Sequence, residues 1–137
     1  MKIYIRASVI DISKEPKEIR VEIARTSNNE SVLTQLSKDS DATVRWWVAT
    51  NNSTPLDVLA DLTDDVLVST CAIALNNIFN NGKAPVLSLM SNLPLERIFE
   101  VSTCANTLPQ VKEYAADIIK HSGNTDMIEE LKYMGLL

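Results

Sequence analysis

A register of 25 residues constrains this chain more than any other feature: Ile23-Ala24, Val48-Ala49 and Ile73-Ala74 are the same dipeptide type at that interval. Ile19-Arg20 and Val44-Arg45 precede the first two at matching offsets. An Asn/Ser/Thr-rich break follows each, then a Leu-rich segment: Val32, Leu33 and Leu36 in the first unit, Val58, Leu59 and Leu62 in the second. One unit of this size cannot bury its apolar face alone, so self-similarity on this scale predicts stacked supersecondary units. The register constrains architecture rather than chemistry, because no residue set here specifies a reaction.

The units read as helical hairpins. The first has a helix expected over residues 15–25, with Ser13 as N-cap and Pro16 tolerated in the first turn, and a second helix over 31–37. The second unit has helices expected at 43–50 and after Thr54-Pro55, where Thr54 reads as the N-cap and Pro55 as the first helical residue. Asp57 then suits the positive end of that helix. The third unit runs from Asp64-Asp65 to Ile78, turns at Asn80-Asn81-Gly82 and restarts at Ala84-Pro85.

Beyond this the spacing loosens. Val68-Ser69-Thr70-Cys71-Ala72 recurs as Val101-Ser102-Thr103-Cys104-Ala105 at an interval of 33, in a helix opened by Pro94. Leu108-Pro109 opens another helix that ends near Gly123, a left-handed C-cap candidate. The expected units are therefore 13–37, 38–63, 64–92 and 93–123, with a capping helix at 124–137. Residues 1–12, where Ile3, Ile5 and Val9 alternate, form an N-terminal arm or cap.

Composition narrows the classes. The chain has 137 residues and is 45% hydrophobic and 23% charged, which suits one soluble globular domain. No run of about 18 apolar residues exists to span a membrane, and the first residues lack the features of a signal peptide. Two cysteines, Cys71 and Cys104, without metal-ligand spacing point to reduced core residues in a cytoplasmic protein. Net charge is −5, with residues 1–50 at +1, 51–110 at −4 and 111–137 at −2. Phosphate binding needs clustered Lys/Arg, so this balance argues against a nucleic-acid partner.

Arg45-Trp46-Trp47-Val48-Ala49-Thr50-Asn51-Asn52-Ser53-Thr54-Pro55-Leu56-Asp57-Val58-Leu59 resembles the leucine-rich repeat variant, a helical relative of HEAT and armadillo solenoids. The match is good over 38–65, fair over 13–37 and weak from 66 onward, where Ser69-Thr70 replaces Val-Arg. The resemblance implies an all-α fold: a short right-handed α–α superhelix of about four helical pairs. The family's founding example also carries a cysteine cluster for an iron–sulfur centre, which is missing here, so no cofactor is carried over. HEAT-type units pair an acidic turn residue with an arginine six positions on; Asp39 and Arg45 match, whereas Lys14/Arg20 and Asp64/Thr70 do not. Arg20, Asp39, Asn51 and Pro55 are thus expected at structural repeat positions.

Each candidate site residue has a structural reading beside the functional one. Neighbours on a helix point about 100° apart, so one surface cannot bury Trp46 and Trp47 equally. Slot 46 is apolar in every unit (Val21, Cys71), whereas slot 47 admits Glu22, which makes Trp47 the more exposed anchor, beside Arg45. The alternative packs both in a bulky unit. Arg20 and Arg45 either read an anionic partner or bond turn carbonyls and acids of a neighbouring unit. The paired asparagines 51–52, 76–77 and 80–81 read as backbone caps. Asp57, Asp61, Asp64 and Asp65 lack the order of a calcium loop and read as a solvated acidic face or a docking surface. His121, the one histidine, sits at an expected helix end without a catalytic partner.

Three glycines leave no phosphate-cradling loop, and no hydrolase or metalloprotease motif is present. The sequence therefore reads as a non-enzymatic binding module without metal or cofactor, a monomer or weak homodimer. Its partner is expected to be a protein, bound as a scaffold or as a small inhibitor or adaptor, through Arg45, Trp46, Trp47, Asp57 and Asp61. The alternative is a nucleic-acid binder resembling the HEAT-like alkylpurine DNA glycosylases, which would need a basic face drawn from Lys14, Lys17, Arg20, Arg25 and Arg45.

Overall fold

A computed structural model of the protein describes residues 11–137. The described residues hold nine α-helices and no strand: α1 (Lys17–Thr26), α2 (Glu30–Leu36), α3 (Ala42–Thr50), α4 (Leu56–Leu62), α5 (Val68–Asn80), α6 (Val86–Met90), α7 (Leu95–Thr103), α8 (Pro109–Lys120) and α9 (Thr125–Tyr133). None is long and apolar enough to cross a membrane. The expected arm or cap over 1–12 lies outside the described residues, except for Asp11 and Ile12. Ile12 is buried in the core.

The register explains how the first helices meet. Ala24, Ala49 and Ala74 recur at the 25-residue interval, and all three are fully buried. An alanine at such a point lets helix backbones approach closely, and α1 packs on α3 and α3 on α5. The leucine-rich second helices close the other side: α2 bridges α1 and α3, and α4 bridges α3 and α5. Leu33, Leu36, Leu59, Leu75, Ile78 and Ile119 belong to one continuous buried cluster. From α6 onward the pattern changes. The helix α8 packs against α5, α6 and α7, and α9 packs on α8.

Helix starts differ from the expectation. Pro16, Pro55, Pro85 and Pro94 are themselves the N-caps of α1, α4, α6 and α7, with ψ of 152°, 156°, 106° and 145°. Proline's fixed φ suits that extended half-in position, and its ring nitrogen has no proton to leave unsatisfied. Thr54 therefore does not cap α4; its buried hydroxyl donates to the Val48 carbonyl at 2.7 Å and closes the end of α3. Ser13 bonds the Asp11 carboxylate at 2.6 Å rather than capping α1. Side-chain caps come from Asn29, Asp41 and Asn124. Only α8 takes proline, Pro109, inside its first turn. Gly123 adopts the left-handed turn expected of it, at φ 79°.

The duplicated pentapeptide is not structurally equivalent in its two copies. Val68 to Ala72 opens α5, whereas Val101 to Thr103 closes α7 and Cys104 is its C-cap. Pro94 fixes the start of α7, so the second copy reaches the last turn, where the Ser102 hydroxyl bonds back to the Phe99 carbonyl at 2.6 Å.

Candidate functional site

Most of the polar residues singled out in the sequence are used to join helices. Arg20 on α1 donates from Nε to Asp39 Oδ2 at 2.8 Å, and Arg45 on α3 donates from Nε to Asp65 Oδ2 at 2.7 Å. Each aspartate also accepts a backbone N–H two residues on, Asp41 or Leu67, and so shapes the entry to the next first helix. Arg45 completes its bonding with the carbonyls of Asp39 at 2.8 Å and Ser40 at 3.2 Å. The expected Asp39–Arg45 side-chain pair is therefore corrected: Arg45 takes the Asp39 carbonyl, because Arg20 already holds the Asp39 carboxylate.

The series breaks at its third step. Thr70 stands where the register would place an arginine, fully buried, and its hydroxyl has no hydrogen-bond partner. Arg97 reaches in from α7 instead, donating to the Asp65 carbonyl at 2.6 Å. Sequence reasoning missed Arg97 because it lies outside the 25-residue register and on a different helix.

Asparagines form a second row of joins. Asn51 Nδ2 donates to the carbonyls of Ala24 and Ser27 at 2.9 and 2.8 Å, tying the end of α3 to the end of α1. Asn77 repeats this, 26 residues on, with the carbonyls of Ala49 and Asn51 at 2.8 and 2.9 Å. Its neighbour Asn76 faces the other way, donating to Asn106 O at 2.7 Å and accepting from Leu108 N at 3.0 Å. Lys83 lays its ammonium on the carbonyls of Asn52 and Thr54, and burial lowers its pKa.

Residues expected to meet a partner divide accordingly. Arg45 is 15% exposed, with its donors taken up within the chain, so it is not a free contact. Trp46 and Trp47 are both half-buried, their rings edge-to-face with centroids 4.9 Å apart. Trp47, expected as the more exposed, packs against the core. The glutamate in its slot, Glu22, is exposed because α1 is the outermost described helix, whereas the next residue in that slot, Ala72, is buried. Trp46 lines a groove of about 250 Å³ with Ala42, Thr43, Leu67, Ser69 and Thr70. Leu67 and Val66 beside it are 43% and 80% exposed. Leu67 escaped notice because the expected third unit treated it as helix interior, whereas it is the N-cap of α5.

Asp57 and Asp61 lie one turn apart on the exposed face of α4, and Asp64 is exposed just beyond it. Their carboxylates make no hydrogen bond or ion pair among the described residues, unlike Asp65. No group among the described residues is arranged to hold a metal ion. The Cys71 thiol is pushed up to about 11 by burial, against the opposing pull of Arg97, which leaves it a poor nucleophile. His121 bonds the Asp117 carbonyl in its own helix at 2.9 Å. Four of the five basic residues that a phosphate-binding face would need are paired with acids: Lys17 with Asp41 at 3.4 Å, Arg25 with Glu22 at 2.6 Å, and Arg20 and Arg45 as above. Compared with protein-family models, curated proteins and solved structures, the chain finds no match.

Proposed function

We propose that the chain is a short right-handed solenoid of about four helical pairs, closed by α9, that works as a non-enzymatic protein-binding module. The recurrence of one set of joins carries this reading. Arg20–Asp39 and Arg45–Asp65 repeat one ion pair, and Asn51 and Asn77 repeat one carbonyl bridge, each between consecutive first helices. Repeated joins of this kind are what a stacked helical array of the leucine-rich repeat variant or HEAT type requires. Stacking spends the polar side chains on the interior and leaves a surface of half-exposed apolar groups and unpaired carboxylates, suited to a protein partner. The module acts as a scaffold or as a small inhibitor or adaptor that occupies a basic target surface. No observation favours the nucleic-acid alternative, since its arginines and Lys17 already hold carboxylates.

The test is affinity capture from the source cell's lysate, with recovered material identified by mass spectrometry and checked for nuclease sensitivity. Stoichiometric recovery of a defined protein supports the reading. Recovery of nuclease-sensitive material, or of no macromolecule at all, contradicts it.

A further inference from the structure

We infer that Asn81 is a spontaneous modification site: it deamidates through the Gly82 amide when the turn between α5 and α6 opens, and the closed turn holds that reaction off. Water is the one co-reactant. The reaction needs no partner, so it stands whether or not the chain binds a protein.

The chemistry lies in the sequence. Asn81-Gly82 is the one place in the chain where glycine follows asparagine. The backbone nitrogen of the following residue can attack the asparagine Cγ, and a Cβ on that residue crowds the approach; glycine has none. Gly82 N forms a bond to Asn81 Cγ and gives up its proton, the Cγ–Nδ2 bond breaks, and ammonia leaves with that proton. The cyclic imide then takes up one water. Hydrolysis at Cγ leaves aspartate at 81, and hydrolysis at the main-chain carbonyl leaves isoaspartate, with an extra methylene in the backbone. The balance is one water in and one ammonia out. Asn81 and Gly82 are both exposed, so water and base reach them.

The closed turn keeps the reactants apart. Asn81 is the C-cap of α5, at φ −100° and ψ 5°. Its Nδ2 faces three oxygens: Asn77 Oδ1 at 2.8 Å, Asn77 O at 3.0 Å and Asn52 Oδ1 at 3.2 Å. The Gly82 N–H is engaged as well, donating to the Phe79 carbonyl at 3.3 Å. Both groups have to leave these partners before nitrogen meets carbon, so the reaction waits on local opening. The turn still calls for both residues, since Gly82 sits at φ 58° and Asn81 makes the join to Asn52.

The product does not fit the closed turn. Asn77 cannot swing its amide round to meet a carboxylate, because its Nδ2 is committed to the carbonyls of Ala49 and Asn51 at 2.8 and 2.9 Å. A carboxylate at 81 therefore faces the Asn77 oxygens with no proton to offer. It also stands at the negative end of the α5 dipole. Lys83, two residues on, already lies on the carbonyls of Asn52 and Thr54.

The experiment incubates the full chain at mildly alkaline pH, in buffer and in urea. Mass spectrometry of the peptide spanning Asn81 follows the mass gained when an amide becomes an acid. Wild type should react in urea and react about tenfold or more slowly in buffer, where the turn is closed. Gly82→Ala in urea should react several-fold more slowly than wild type. In thermal melts Asn81→Asp should unfold below Asn81→Ala, since the first adds a misplaced charge and the second only removes bonds. Equal wild-type rates in buffer and urea, an undiminished rate for Gly82→Ala in urea, or Asn81→Asp melting at or above Asn81→Ala each overturns the proposal.

Discussion

Arg45 and Asp65 meet across 20 residues of sequence, Nε to Oδ2 at 2.7 Å, with side chains only 15% and 5% exposed. The pair joins α3 to the turn that opens α5. Both charges have left water, so the pair's net contribution is small beside the cost of breaking it. Replacing Arg45 by Met strands the Asp65 carboxylate and the Asp39 carbonyl. Urea denaturation should show a loss of about 2–4 kcal/mol. A double-mutant cycle with Asp65→Asn should return a coupling of at least about 1 kcal/mol. Arg25→Met, which breaks only the exposed pair with Glu22, should leave the midpoint unchanged.

Thr70 and Thr54 are both fully buried threonines with opposite consequences. Thr54 donates to Val48, whereas the Thr70 hydroxyl has no partner. Thr54→Val should cost about 1 kcal/mol. Thr70→Val removes an unsatisfied group at nearly constant shape and should stabilise by about 1 kcal/mol. Thermal melts of the two variants should move in opposite directions.

Asn77 is 5% exposed and satisfies two backbone carbonyls with one amide. Asn77→Ala should destabilise by about 1–3 kcal/mol, since the Ala49 carbonyl loses this donor in the interior, while the Asn51 carbonyl keeps the Thr54 N–H. Hydrogen exchange of the variant should speed up first at the adjoining ends of α3 and α5.

Burial raises the Cys71 thiol to about 11 from an ordinary 9.0. Below about pH 9 both the folded and unfolded chains keep that proton. Between about pH 9 and pH 11 the unfolded chain releases it while the folded chain holds it, so this contribution to stability falls as pH rises. The loss is on the order of 2 kcal/mol across that window. Denaturation of wild type should therefore weaken more steeply there than that of Cys71→Ala, which has no thiol to titrate.

The helical pattern was legible because apolar spacing and the Ala24/Ala49/Ala74 register report directly on close backbone approach. The joins were less so. Asn51 and Asn77 could be read as satisfying backbone groups, yet nothing local says that the carbonyls belong to the preceding helices. The partner of Arg45 was misassigned because the six-residue spacing to Asp39 is visible in one dimension, whereas competition with Arg20 for that carboxylate arises only in three. Trp47 differs from its expected role as a free anchor for a related reason: Glu22 marks slot 47 as exposed on the first described helix, whereas Trp47, half-buried like Trp46, packs against the core. The two pentapeptides show that identical residues take their environment from where proline lets a helix begin.

Amide hydrogen exchange on the chain alone and bound to its captured protein partner tests the central claim most directly. Asp41 holds the amides of Thr43 and Arg45, and Asp65 and the Leu67 carbonyl hold those of Leu67 and Cys71. The remaining first-turn amides of α3 and α5 are the ones expected to exchange fast in the free chain and to report on burial. Binding through the apolar surface at Trp46 and Leu67 should slow exchange over residues 42–46 and 66–71 and leave α8 and α9 unaffected. Protection confined to other helices, with those two segments unchanged, would contradict it.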